Sequence, residues 1–323
     1  MRRATTLASA LMLSAMACPL SAQQAITTTH AGLEGDLAGT LEGTLAQGTP
    51  AVLIVPGSGP TDRDGNSPLG IAAQTYKLLA EALAQHGIAS VRIDKRGMFG
   101  SAAAVPDPND VTVDDYVTDI ESWADTISRE SGGQCVWLLG HSEGGLMGMA
   151  AAAEDPSRYC GLLLVASVAR NLGDVLRAQV AANPANAPLL PEIDTIAKLR
   201  AGESVPAAGM HPALVPLFAP QVQSFLGSVF RQEPAELIAA HDLPVLILNG
   251  SADLQTPAAD ARELANVRPD ATLVIVERAN HVLKQVPDDT SAANLATYAD
   301  PDLPLAPGVV DAITQFVAEE GAS

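Results

Sequence analysis

Short apolar runs recur along this chain, each ending in a turn and separated from the next by a stretch of helical periodicity. The runs are AVLIVPG at Ala51 to Gly57, Ile88 to Ile93, CVWLLG from Cys135, CGLLLVAS from Cys160, PVLILNG at Pro244 to Gly250 and ATLVIVE at Ala271 to Glu277. Helical patterns lie between and after them: Ala72 to His86, stopped by Gly87; Val113 to Glu130, capped by Thr112 or Asp114; Ser142 to about Ala153; Ala258 to Val267; and Gly308 to Glu319. Short segments, mainly apolar, read as strands covered on both faces, which requires a mainly parallel sheet between two helical layers. The opening THAGLEGDLAGTLEGTL alternates loosely and reads as a hairpin.

One interval breaks the rhythm. Between Arg170 and Leu243 stand amphipathic pieces such as NLGDVLRAQVAA, EIDTIAKLRAG and VQSFLGSVFRQ, with a Pro-rich stretch among them. A loop of that length without structure is uncommon in a compact domain. The pattern predicts an inserted, mainly helical cap over residues 171–236, dividing a core formed by 23–170 and 237–323.

The first residues belong to processing rather than to the fold. Arg2 and Arg3 precede an apolar run from Leu7 to Ala17, and Leu20-Ser21-Ala22 offers small residues before Gln23, the pattern of a signal peptide over residues 1–22. This places the mature chain in the periplasm or outside the cell, and no later run has the length and purity to cross a bilayer. The 18 Lys+Arg against 37 Asp+Glu leave a net charge of −19, which argues against nucleic acid as a partner because no basic surface is available for phosphates. Cys135 and Cys160 begin two successive strands on one sheet edge, so their sulfurs can meet. An oxidising compartment then favours a disulfide, and two buried thiols are the alternative.

The chemistry concentrates where these strands end. Gly140-His141-Ser142-Glu143-Gly144 lies between a strand and a helix, where small residues permit a sharp turn that exposes Ser142. A serine hydroxyl needs a base. Among the six histidines, His281 follows the last strong strand and can enter the same sheet edge as Ser142, whereas His30, His86, His141, His211 and His241 stand elsewhere or point away. Asp253, in the loop after PVLILNG, can hold the other imidazole nitrogen; Asp260 falls inside the next helix. The backbone N–H of Ser58, or of Gly59 in its place, joins that of Glu143 as the pair that can hold an oxyanion. Asp62, Arg63, Asp64, Asp94 and Arg96 read as charges that support this loop. No metal set and no cofactor motif is expected.

At these positions the chain resembles the α/β-hydrolase superfamily, and in particular its bacterial serine esterases with a helical cap. The resemblance runs from about Ala51 to Phe316, and PGSGPTDRDGN, RIDKRG, GHSEGG, GSADLQTP and NHVLK occur in the order it requires. It implies an α/β-hydrolase fold, Ser142 as nucleophile, Asp253 as acid, His281 as base, and Ser58 with Glu143 as the oxyanion pair. Many relatives open the oxyanion segment with His-Gly where this chain has Pro56-Gly57. The implied activity is hydrolysis of small carboxylic esters through an acyl-enzyme. A serine peptidase or amidase, and a noncatalytic secreted binding protein, are the competing readings. Leu176, Val180, Leu214, Leu217, Phe218 and Phe225 in the insertion are the candidate substrate pocket, with ordinary packing of the cap against the core as the alternative for most of them, and the oligomeric state is left open. Intact-mass analysis of exported protein should show loss of about the first 22 residues; retention of that segment would overturn the export reading.

Overall fold

The computed structural model describes residues 23–288 and 290–322, so the signal-like segment lies outside the described residues. Strands β1 (Gln24–Thr28) and β2 (Leu37–Glu42) form the opening antiparallel hairpin. After them come β3 (Ala51–Val55), α1 (Thr75–Gln85), β4 (Ala89–Ile93), α2 (Val113–Glu130), β5 (Val136–His141), α3 (Glu143–Glu154) and β6 (Tyr159–Val165). The insertion carries α4 (Leu172–Ala182), α5 (Thr195–Arg200), α6 (Gln223–Phe230) and α7 (Pro234–Ala239). The chain then returns through β7 (Val245–Gly250), α8 (Ala258–Val267) and β8 (Thr272–Val276) to α9 (Ser291–Ala296), which the sequence reading missed, and α10 (Val309–Glu320).

The eight strands make one sheet in the order β1-β2-β4-β3-β5-β6-β7-β8, parallel from β4 to β8 and antiparallel at the hairpin. Its central strands β3, β5 and β7 are buried at every position because both faces are covered. Leu53, Val55, Leu138 and Leu162 join Ile120, Trp123, Met147 and Leu264 from α2, α3 and α8 on one side. Val52, Ile54, Leu139 and Leu163 join Leu79, Leu83, Val309 and Ile313 from α1 and α10 on the other. Adjacent strand residues thus enter opposite cores, as the pleat demands. Thr112 proves to be the cap of α2: its hydroxyl accepts from Asp115 N–H at 3.3 Å while the Asp115 carboxylate accepts from Thr112 N–H at 2.9 Å.

The insertion is helical and holds a core of its own. Ile193, Ile196, Leu199, Leu214, Phe218 and Phe230 are buried together there. At the opposite edge of the sheet from the β5 turn, Cys135 and Cys160 are joined in a disulfide, with Cα atoms 5.1 Å apart. The bond closes a loop of 25 residues in the unfolded chain. Replacing both cysteines by serine should therefore lower stability by about 3 kcal/mol in urea unfolding, while turnover per folded molecule stays at the parent level. A variant folded as stably as the parent would contradict this.

Candidate active site

The turn after β5 is the tightest backbone feature near the site. Ser142 has φ 56° and ψ −122°, a conformation that costs a non-glycine residue about 1–3 kcal/mol. Close packing holds it there. A Cβ at Gly140 would collide with the Gly144 carbonyl, one at Gly144 with the Val55 carbonyl, and one at Gly145 with the Ser167 hydroxyl. The G-x-S-x-G spacing is thus a requirement of contact, in addition to turn freedom. It leaves Ser142 with 9% exposure, facing a cavity of about 60 Å³.

The loops after β7 and β8 bring the other two residues together. His281 Nδ1 lies 2.8 Å from Asp253 Oδ2, and His281 lines the same cavity as Ser142. The carboxylate accepts from Gln255 N–H at 2.8 Å, Thr256 N–H at 2.9 Å and the Thr256 hydroxyl at 2.9 Å. Burial would raise the Asp253 carboxyl, but the bond from His281 and these donors outweigh it and hold it below the ordinary carboxylate value. An ionised Asp253 keeps the proton of neutral His281 on Nδ1, which leaves Nε2 as the acceptor. Asp260, the alternative acid, sits in α8 and pairs with Arg170 instead.

His141, which also lines this cavity, has both ring nitrogens engaged in a buried chain of hydrogen bonds that the sequence did not reveal. Gly57 N–H donates to Tyr76 Oη at 3.0 Å, Tyr76 lies 2.9 Å from His141 Nδ1, and His141 Nε2 lies 2.8 Å from the His281 carbonyl oxygen. A carbonyl only accepts, so His141 carries its proton on Nε2 and the Tyr76 hydroxyl donates to Nδ1. Burial, aided by the nearby His281, lowers the His141 pKa to about 3, and the ring stays neutral. Tyr76 in α1 gave no sequence signal beyond helical periodicity.

Charges around the oxyanion loop act as expected of supports. Asp94 accepts from Arg63 N–H at 2.8 Å and pairs with its guanidinium, Asp64 pairs with Arg92 at 2.8 Å, and Arg96 binds Asp119 at 2.7 Å. The six apolar residues proposed for the pocket are placed differently. Leu214 and Phe218 are buried in the insertion's own core, Leu176, Val180 and Leu217 pack against it, and Phe225 stacks edge-on to Tyr116 at 6.0 Å. None lines the cavity at Ser142, whose outer part is formed by Ser58, Thr61, Ile71, Thr75, Gln255 and Val282. The amphipathic spacing of the insertion serves mutual packing of its helices.

A parallel sheet with a strained serine after β5, an Asp after β7 and a His after β8 defines an α/β-hydrolase. The model of the serine aminopeptidase S33 family matches residues 69–285, more than half of the chain, and the chain belongs to that family. It is 30% identical to human monoglyceride lipase over 192 residues, which cover 55% of this chain and 61% of the lipase. It is 26% identical to esterase EstD of Thermotoga maritima over 247 residues, covering 72% of this chain and 54% of that protein. The chain thus spans less than two thirds of these relatives. Among solved structures, Est1E of Butyrivibrio proteoclasticus with bound ferulic acid shares the fold, with a TM-score of 0.58, 18% identity and coverage of 92% of this chain and 100% of that one.

The buried neutral His141 makes stability depend on acid in a defined direction. Between its ordinary pKa of about 6.5 and its folded value of about 3, the unfolded chain binds a proton that the folded site refuses. Stability contributed by this ring is present above about pH 6.5 and falls as the pH drops, by up to about 1.4 kcal/mol per pH unit. Urea unfolding across this range should show a slope shallower by one proton in His141→Asn than in the parent. Equal slopes would contradict the buried neutral assignment.

Proposed function

We propose that this protein is a serine carboxylesterase acting on small neutral esters. The observation that carries this reading is the 2.8 Å bond between His281 and Asp253, in a cavity that Ser142 also lines. His281 Nε2 takes the Ser142 proton as Oγ attacks the ester carbonyl, and the tetrahedral oxyanion forms beside the N–H groups of Ser58 and Glu143. The bond to the alcohol oxygen then breaks, with His281 returning the proton to it. Water, activated by the same imidazole, releases the acid and restores Ser142.

The family description names an aminopeptidase, which is the second reading. An aminopeptidase must receive a free α-ammonium, for which a carboxylate in the pocket is the natural partner. Besides Ser142, His141 and His281, the described residues lining the cavity are Gly57, Ser58, Thr61, Gly65, Ile71, Thr75, Tyr76, Gln255 and Val282, without a carboxylate. This favours an uncharged ester, as do the likenesses to a lipase and an esterase.

The insertion over 171–236 is proposed as a cap, because it joins the end of β6 to β7 and so starts from the sheet edge that carries Ser142. Periplasmic or extracellular residence is part of the proposal, supported by the Cys135–Cys160 bond. Among the described residues no helix is long and apolar enough to cross a membrane.

Ser142→Ala should reduce p-nitrophenyl butyrate turnover by about 10⁴-fold or more without loss of fold, and a fluorophosphonate should label Ser142 in the parent alone. In the same assays, aminoacyl p-nitroanilides should be cleaved far more slowly than the ester. Anilide turnover exceeding ester turnover would move the assignment to aminopeptidase, and labelling of another serine would overturn the site.

A further inference from the structure

Two separate cavities are lined by residues of the loop that follows β3. One is lined in part by Gly57, Ser58, Ser142 and His281. The other is a small space of about 20 Å³ lined in part by Pro56, Lys95, Tyr116, Asp119, Glu143 and Met147. Lys95 is 8% exposed, and its Nζ donates to the carbonyl oxygens of Gly57 and Gly59, both at 2.7 Å. Glu143 is the carboxyl that acts most on it electrostatically.

The loop's polar groups are engaged one by one. Gly57 N–H is taken by Tyr76 Oη at 3.0 Å, the Gly57 carbonyl by Lys95, the Gly59 carbonyl by Lys95 and by Thr61 N–H at 2.9 Å, and the Ser58 carbonyl by the Thr61 hydroxyl at 2.9 Å. In a trans peptide the C=O of one residue and the N–H of the next point in opposite directions. With the Gly57 carbonyl drawn to Lys95, the N–H of Ser58 points away from Lys95, and Ser58 lines the cavity that holds Ser142. Gly57 N–H is excluded as an oxyanion donor by its bond to Tyr76.

We propose that Lys95 is a positioning residue for the oxyanion hole: by gripping the Gly57 and Gly59 carbonyls from behind, it aims the Ser58 N–H at the developing oxyanion. The inference rests on the esterase reading and deepens it. It depends on the two N–H donors of the side chain and holds for either protonation state of the amine. The partner donor, Glu143 N–H, needs no such device, because it is the first N–H of α3 and has no intrahelical acceptor.

A pair of matched substrates tests this without depending on the amount of folded enzyme. Fixed N–H donors favour a carbonyl oxygen over the larger, weakly accepting sulfur of a thionoester, so the ratio of oxoester to thionoester kcat/KM reports the oxyanion hole alone. In Lys95→Met that ratio should fall about tenfold or more, with oxoester kcat reduced by about 10- to 100-fold and KM within about threefold of the parent. Lys95→Gln, which keeps a donor for one carbonyl, should give an intermediate ratio and serves where the Met variant does not fold. A parental ratio in either folded variant overturns the proposal while Ser142-dependent turnover keeps the esterase reading intact. Loss of that reading itself would show as ester turnover that survives Ser142→Ala.

Discussion

The backbone at Ser142 is held in a conformation that an L-residue avoids, and the surrounding packing is what maintains it. Val55 and Gly57 press on the turn from β3, Gly140 and Gly144 let β5 and α3 approach within contact, and Ser167 closes it from the β6 side. Apart from Gly144, in the first turn of α3, each of these neighbours comes from a central strand or from the loop directly after one. The strain is therefore borne by the best-packed part of the sheet, where both cores meet. A side chain at any of the three glycines of the turn would force the strands apart, so the hydroxyl's position is a property of the whole sheet.

Around that turn the polar groups form a connected set. His141, next to Ser142, reaches the His281 carbonyl on one side and Tyr76 on the other, and Tyr76 holds the Gly57 N–H. The loop that carries the base and the loop that carries the oxyanion donor thus share a chain of fully buried hydrogen bonds. Buried networks of this kind are costly when a member is lost and rigid when complete. The arrangement links a relative shift of the two loops to breakage of at least one of these bonds, which is how a site assembled from distant segments keeps its geometry.

Much of this was legible in the sequence because it follows from local pattern. The strand runs, the Thr112 cap region, the elbow spacing and the placement of Asp253 and His281 at strand ends are each visible in a few adjacent residues. The roles of Tyr76 and Lys95 were not, since Tyr76 meets Gly57 and His141, and Lys95 meets the Gly57 and Gly59 carbonyls, across long stretches of chain. RIDKRG, which contains Lys95, carried the resemblance without saying what its lysine binds. The insertion shows the limit of such patterns: Leu214 and Phe218 fitted both a pocket wall and packing of the cap, and the structure buries them in the insertion's own core. Periodicity identifies an apolar face without naming what covers it.

The central claim is that Ser142, His281 and Asp253 act as one acyl-transfer unit. Its most direct test is rapid acid quenching of the enzyme during turnover of p-nitrophenyl butyrate, followed by peptide mass mapping. The account predicts a butyryl group on the peptide containing Ser142, formed with a burst of nitrophenol of about one equivalent per enzyme. Turnover with no acyl group on Ser142, or with the group on another residue, would contradict it.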